Sequence, residues 1–435
     1  MESLLSYIIA LYTFYLLVKL YISFMQVGYV KDAKYKEPVL LYPAAYMKAA
    51  DYEAVKQKIG MVSTLVEYAT FFFWVVAGFA WLQGVLAAFD GILFAVLFVN
   101  AMVTINYFIH LPVDLYEKFV IDEKFGFNKT TPVLFLTDTI KGGMLYYLFG
   151  SLIIAAVAYF ISSFSSWWLI SFAFVFTVII IINMIYPTLI APIFNKFTPL
   201  QDSVLNEKIE ELLENVGFKS SGVFTIDASK RDTRLNAYFG GLGSTKRVVL
   251  FDTLIEKLTH NELLAVLGHE LGHFKHGDIY KNIVLSGGMM LAFFAILGNI
   301  PAELFTQMKV EQNAGTLIAL FLLIISPLSF FLQPVVNYVS RKNEFAADAY
   351  GSDLQSADDL KRALIKLTNE NKKFPKSHPL YMLFYYTHPS VLERIEAMGG
   401  MPDERNATEQ AVDEKIANIE FNIFGTLGVE KDDGH

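Results

Sequence analysis

Cysteine is absent from all 435 residues. Disulfides, thiolate metal ligands and a cysteine nucleophile are thereby excluded, and any metal site is left to histidine and carboxylate. Charge is also scarce: 18% of residues are Asp, Glu, Lys or Arg, whereas 54% are hydrophobic. A soluble domain carries about 25% charged residues, so an ordinary water-soluble enzyme is a poor fit. No basic patch marks a nucleic-acid surface, and no P-loop, dinucleotide fingerprint, repeat or low-complexity tract is present. The first apolar stretch lacks a basic n-region and a small-residue cleavage site, so it reads as a retained span rather than a signal peptide.

What the chain does have is long hydrophobic runs. Seven transmembrane helices are predicted, at Leu4–Phe24, Leu65–Phe89, Ile92–Ile109, Met144–Phe164, Trp167–Ile185, Ile283–Ile300 and Leu317–Val339. Each is long enough to cross roughly 30 Å of hydrocarbon. Trp167 and Trp168 suit a membrane interface. If the spans alternate, segments 25–64, 110–143, 186–282 and 340–435 share one side, and they hold every Lys and Arg except Lys19 and Lys309. That bias places the shared side in the cytoplasm. Lys19 can snorkel toward it. The missing cysteine and a C-terminus (Lys431 to His435) without a retrieval sequence favour a bacterial inner membrane, with the endoplasmic reticulum as the alternative.

The expected organisation has five parts: 1–185, five spans with cytoplasmic loops; 186–282, a catalytic loop; 283–340, two further spans; 341–400, a second catalytic segment; and 401–435, an acidic tail. From Pro402 to His435 nine acidic residues face three basic ones, the pattern of a solvated tail.

The chemistry centres on His269-Glu270-Leu271-Gly272-His273, just ahead of the sixth span. Residues four apart on a helix project about 40° apart, so both imidazoles can reach one zinc ion while Glu270 sits beside its water. Thr259-His260-Asn261-Glu262 has capping-box form and can start that helix. A third protein ligand is needed, and His276 lies at the wrong offset. Glu344 is the better candidate, with Asp348 one turn on to orient a ligand histidine through its ring N–H. Taken alone, two surface histidines and an acidic helix edge would explain the same residues. Within the loop, Arg234–Phe239 and Arg247–Phe251 read as two strands around a Gly-rich turn, either a structural hairpin or an edge strand that holds a peptide extended. Asn100, Asn106, Asn183, Gln333 and Asn337 either line a wet chamber or bond between helices.

These residues resemble the type I CAAX prenyl proteases, integral-membrane HExxH zinc metalloendopeptidases. The resemblance extends through Leu111-Pro112-Val113-Asp114, Phe125-Gly126-Phe127-Asn128, Ala191-Pro192-Ile193-Phe194-Asn195-Lys196, Asn236-Ala237-Tyr238-Phe239, Glu344-Phe345-Ala346-Ala347-Asp348 and His388-Pro389-Ser390 with Glu393-Arg394, in the family's order over about 110 to 395. It implies an α-helical multi-pass membrane protein, seven helices around an internal chamber with a zincin-like cytoplasmic domain containing a small β-hairpin. It implies one Zn2+ held by His269, His273 and Glu344, with Glu270 as general base, Asn236 on the substrate backbone and His388 near the developing oxyanion. Arg394 would either touch substrate or pair with Asp348. The expected substrate is a peptide or protein, either a prenylated CAAX protein or a related peptide, at the lipid bilayer. Two rivals stand beside this reading: a membrane quality-control protease without prenyl dependence, and a non-catalytic chamber binding polypeptide or lipid.

Overall fold

The structure, a computed structural model, describes residues 3–241 and 246–401. The tip of the Gly-rich turn and the acidic tail lie outside the described residues. Among the described residues, seven helices are long and apolar enough to cross a membrane: Leu4–Lys34, Pro43–Val85, Gly91–Asp122, Pro132–Ser163, Trp167–Phe194, Asp278–Gly298 and Ala314–Leu354. Each predicted apolar run lies mainly within one of them, and several helices continue well past their apolar part. The extensions are where charge and function enter. The seventh helix does not stop at the end of its apolar run but continues to Leu354, carrying Glu344 and Asp348 with it.

Several polar groups inside the spans are paired. Lys19 does not simply reach toward water: its ammonium lies 2.9 Å from Glu67 of the second span, whose carboxylate also accepts from Tyr12 and Tyr15. Asn106 accepts from the Trp74 indole at 2.6 Å, Asn100 donates to Ser151, and Asn337 donates to the Leu383 carbonyl. Asn183 bonds only its own helix, at the Ile179 carbonyl. Interhelical bonding thus accounts for three of the five polar residues.

Between the fifth and sixth spans the chain builds a small soluble layer. Four strands, β1 (Phe197–Pro199), β2 (Val223–Ile226), β3 (Ala237–Gly240) and β4 (Arg247–Phe251), lie in the order β1-β2-β4-β3. The expected hairpin is β3 with β4, antiparallel and registered Tyr238 to Val249. It joins a parallel β2–β4 pair, so β3 is an edge. The motif helix, His260–Lys275, packs beneath this sheet. Leu263, Leu267 and Leu271 recur every fourth residue, and with Leu264 they bury fully against Leu205, Leu212, Val248 and Leu250. Each buried leucine contributes about 2 kcal/mol. The same periodicity turns His269 and His273 to another face, toward the seventh span.

Candidate metal centre

Thr259 caps the motif helix in a complete capping box: its N–H donates to Glu262 at 2.8 Å and its hydroxyl accepts from the Glu262 N–H. Gly277, at φ 68°, ends the excursion with a left-handed turn that an ordinary residue adopts only under strain. Asp278 then opens the sixth span. Close approach of the motif helix to the seventh span depends on two other glycines. A Cβ on Gly272 would stand 2.8 Å from the Ala347 Cα, and one on Gly351 only 2.6 Å from the His269 backbone nitrogen. No side chain fits there.

This contact brings His269, His273 and Glu344 together, with one donor atom of each within 4.8 Å of the others. Glu344 Oε1 lies 3.3 Å from His273 Nε2, and Glu344 Oε2 lies 3.5 Å from His269 Nε2. Donors bound tetrahedrally at about 2.0–2.1 Å would stand about 3.4 Å apart. The spacing therefore suits one metal ion. Glu344 Oε2 is buried without a hydrogen bond, although charged neighbours are close, and such an atom is costly unless a cation satisfies it.

Each histidine is aimed by an aspartate. His269 Nδ1 is 2.8 Å from Asp348 Oδ1, and Asp348 is in turn gripped by Arg394 through two bonds, at 2.8 and 2.6 Å. His273 Nδ1 is 2.9 Å from Asp278, which Lys281 holds at 2.7 Å. With Nδ1–H committed to the carboxylate in both, Nε2 is the nitrogen left to face Glu344 and to bind a metal once it carries no proton. The first chain of contacts was legible as Asp348 one turn after Glu344, and Arg394 takes the pairing role rather than standing free. Asp278 was missed. Its only signal was an acidic residue placed at the mouth of an apolar span.

Glu270 borders two cavities and lines one of them together with His273 and Glu344. One, of about 240 Å³, is lined by Asn236, Leu367, Asn371, Lys373, His388 and Arg394 among others. The second, of about 270 Å³, is lined by His273, Asp278, Asn282, Asn343, Glu344 and His388. Burial pushes the Glu270 carboxyl above its ordinary range, against the pull of His269 and His273. His388 sits 3.3 Å from Glu344. Burial draws it down to about 4, so it is neutral at pH 7 and its ring can donate one hydrogen bond. Its side chain is half exposed even so, as befits a group on the wall of a water-accessible cavity set deep in protein. Burial also acts against the charged form of His273, but bonds to Glu344 and Asp278 outweigh it and push it up to about 9. Asn236 is exposed at the entrance to β3, its carbonyl accepting from the Phe251 N–H. His276 caps the motif helix beside Tyr350 and stands outside the metal-binding group.

A membrane-spanning fold with a His-His-Glu cluster and a carboxylate beside it defines a metallopeptidase class, and comparison with known proteins gives the family. Residues 39–196 match the CAAX prenyl protease N-terminal family of five membrane helices, and residues 199–401 match peptidase family M48. A CAAX prenyl protease 1 homolog of Arabidopsis thaliana is 35% identical, over 78% of this chain and 82% of that one. CAAX prenyl protease 1 of Saccharomyces cerevisiae is 34% identical, over 71% of this chain and 72% of its own. The crystal structure of S. mikatae Ste24p superposes with a TM-score of 0.85 at 28% identity, covering 92% of this chain and 99% of that one. The chain belongs to the CAAX prenyl protease branch of peptidase family M48. It is a multi-pass membrane metalloprotease.

Proposed function

We propose that this protein is a zinc endopeptidase that removes the C-terminal tripeptide from prenylated CAAX proteins. The observation that carries the reading is the His269–His273–Glu344 donor set beside Glu270 at the meeting of two cavities. Its relatives carry the name CAAX prenyl protease. Zinc suits an imidazole and carboxylate donor set without cysteine.

A metal held by His269, His273 and Glu344 supplies Lewis acidity, acidifying a water and polarising the scissile carbonyl. Glu270 accepts the proton of the attacking water and returns it to the leaving amine. Its elevated affinity for protons, from burial, serves both transfers. Neutral His388 donates a hydrogen bond to the oxyanion of the tetrahedral intermediate. Asn236, where β3 meets the first cavity, holds substrate backbone, and the β3 edge extends the peptide by main-chain pairing. Asp348, Asp278 and Arg394 act through the histidines they fix.

The distribution of Lys and Arg favours a cytoplasmic position for this face. Absence of cysteine favours a bacterial inner membrane, and the eukaryotic relatives favour the endoplasmic reticulum, which fractionation of the native host separates. The test of function is cleavage of matched farnesylated and unmodified CAAX peptides by purified protein, with products weighed by mass spectrometry. Release of an intact tripeptide, lost in Glu270→Gln, supports the reading. Equal efficiency on both peptides would favour a prenyl-independent protease. No cleavage of either would refute peptidase action on CAAX sequences.

A further inference from the structure

The two cavities that meet at Glu270 and His388 differ in charge. The one beside His273 is lined by the carboxylates of Asp278 and Glu344 and by no lysine or arginine. The one beside Asn236 contains two cations, Arg394 and Lys373. Arg394 is already spent on Asp348. Lys373 is not: among the described residues no carboxylate lies within ion-pair distance, and its ammonium stands 5.3 Å from the centre of the Tyr386 ring. Solvent reaches it, yet protein surrounds it closely enough for desolvation to draw its pKa below the ordinary lysine value. Such a cation is stabilised by an anion that arrives from outside.

The backbone holds Lys373 in place by an unusual route. The helix Ala357–Glu370 ends in a turn in which the Lys373 N–H donates to the Thr368 carbonyl at 2.9 Å. Lys372 within that turn has φ 46°, a left-handed conformation that a side chain other than glycine adopts at a cost. Lys372 turns to the Phe127 ring while Lys373 lines the cavity. Asn371, in the same turn, accepts from the Leu235 N–H at 2.8 Å and donates to the Leu235 carbonyl at 3.2 Å. Leu235 precedes Asn236. One side-chain amide therefore ties the lysine-bearing turn to the segment that opens the edge strand.

We infer that Lys373 is the anchor for the substrate's C-terminal carboxylate, and that it sets which way the peptide lies across Glu270. The proposal rests on the tripeptide-removal reading above. Three extended residues reach about 10 Å, so a carboxylate held in this cavity sets the bond to be cut by counting back from the chain end. The other cavity has no lysine or arginine to receive that end, and the reversed peptide is disfavoured. Carboxylate recognition by Lys373 makes the enzyme read the end of a chain rather than its sequence.

The test uses the full-length protein and two farnesylated CAAX peptides that differ only in ending as carboxylate or carboxamide. For the unsubstituted protein the carboxamide should raise KM by roughly ten- to a hundredfold, the range of one charge-assisted hydrogen bond, with kcat little changed. Lys373→Met should remove that difference, and Lys373→Arg should keep most of it. Metal content and melting temperature report whether the variants are folded. If the unsubstituted protein does not distinguish the two peptides, or if folded Lys373→Met still does, the assignment is wrong. Mass spectrometry separates this from failure of the functional reading, which would show as cleavage elsewhere or none. In that event, binding of the two peptides to Glu270→Gln protein, with and without Lys373→Met, still decides it. A preference for the carboxylate that vanishes with Lys373 supports the anchor, and one that persists overturns it.

Discussion

The two histidines of the cluster are held by the same device in two different settings. On the His269 side, His269, Asp348 and Arg394 are all buried, and the aspartate and arginine come from the seventh span and from the short helix Val391–Ala397. On the His273 side, Asp278 is buried but His273 is half-buried and Lys281 is half exposed, and the partners come from the first turn of the sixth span. The first chain of contacts knits three distant parts of the sequence. The second is nearly local, Asp278 being five residues from His273. A buried pair is expensive to break because the remaining charge has nowhere to go, whereas water can replace an exposed partner. The same architecture should therefore be fragile on one side and forgiving on the other.

The largest expected effect comes from the helix contact on the His269 side. Gly351→Ala drives a methyl into the His269 backbone, and the resulting separation of the motif helix from the seventh span should cost about 1–3 kcal/mol and most of the bound metal. Alanine at Gly142, where nothing lies within 4 Å, provides the control. Melting temperature and metal content of the two variants check this, and equal behaviour would mean the helices are not closely seated.

Next come the paired aspartates. Loss of a carboxylate behind a ligand histidine weakens metal binding by about 10–100-fold. Asp348→Ala, which strands buried Arg394, should fall at the upper end and lower stability as well, and Asp278→Ala at the lower end. Chelator competition measures both affinities, and a reversed order would break the comparison.

A smaller effect concerns pH. Without metal His273 titrates at about 9, so at neutral pH metal must displace a proton there. Affinity should rise about tenfold per pH unit between 6.5 and 8 and level off as pH passes 9. An affinity independent of pH over that range would show that His273 is not a ligand. Least of all, Lys281→Ala removes a partly exposed ammonium and should alter metal affinity by no more than a few-fold, readable in the same competition assay.

What the sequence revealed and what it hid divide along the same line. The spans were legible from unbroken apolar runs, the motif helix from Thr259 and Glu262, and the third ligand from Glu344 and Asp348 one turn apart, because each is a local periodicity. Asp348 against His269 followed from the need of a metal-bound imidazole for an acceptor. Asp278 answers the same need for His273 but carries no periodic signature, since it stands beyond a helix break at Gly277. Gly272 and Gly351 read only as weak helix formers, and their purpose exists only once two helices meet. Lys19 with Glu67, 48 residues apart, depends on how the first two spans pack, and so does the joining of β1 and β2 to the expected hairpin. Asn371 and Lys373, in an irregular turn, carried no pattern at all.

The central claim is that His269, His273 and Glu344 bind the metal while Glu270 does chemistry without binding it. Metal content per chain, measured for the purified unsubstituted protein, Glu344→Ala and Glu270→Gln alongside peptide hydrolysis, tests that most directly. One metal in the unsubstituted protein, one in an inactive Glu270→Gln and little in Glu344→Ala is the predicted result. A full metal complement in Glu344→Ala, or its loss from Glu270→Gln, would contradict the assignment.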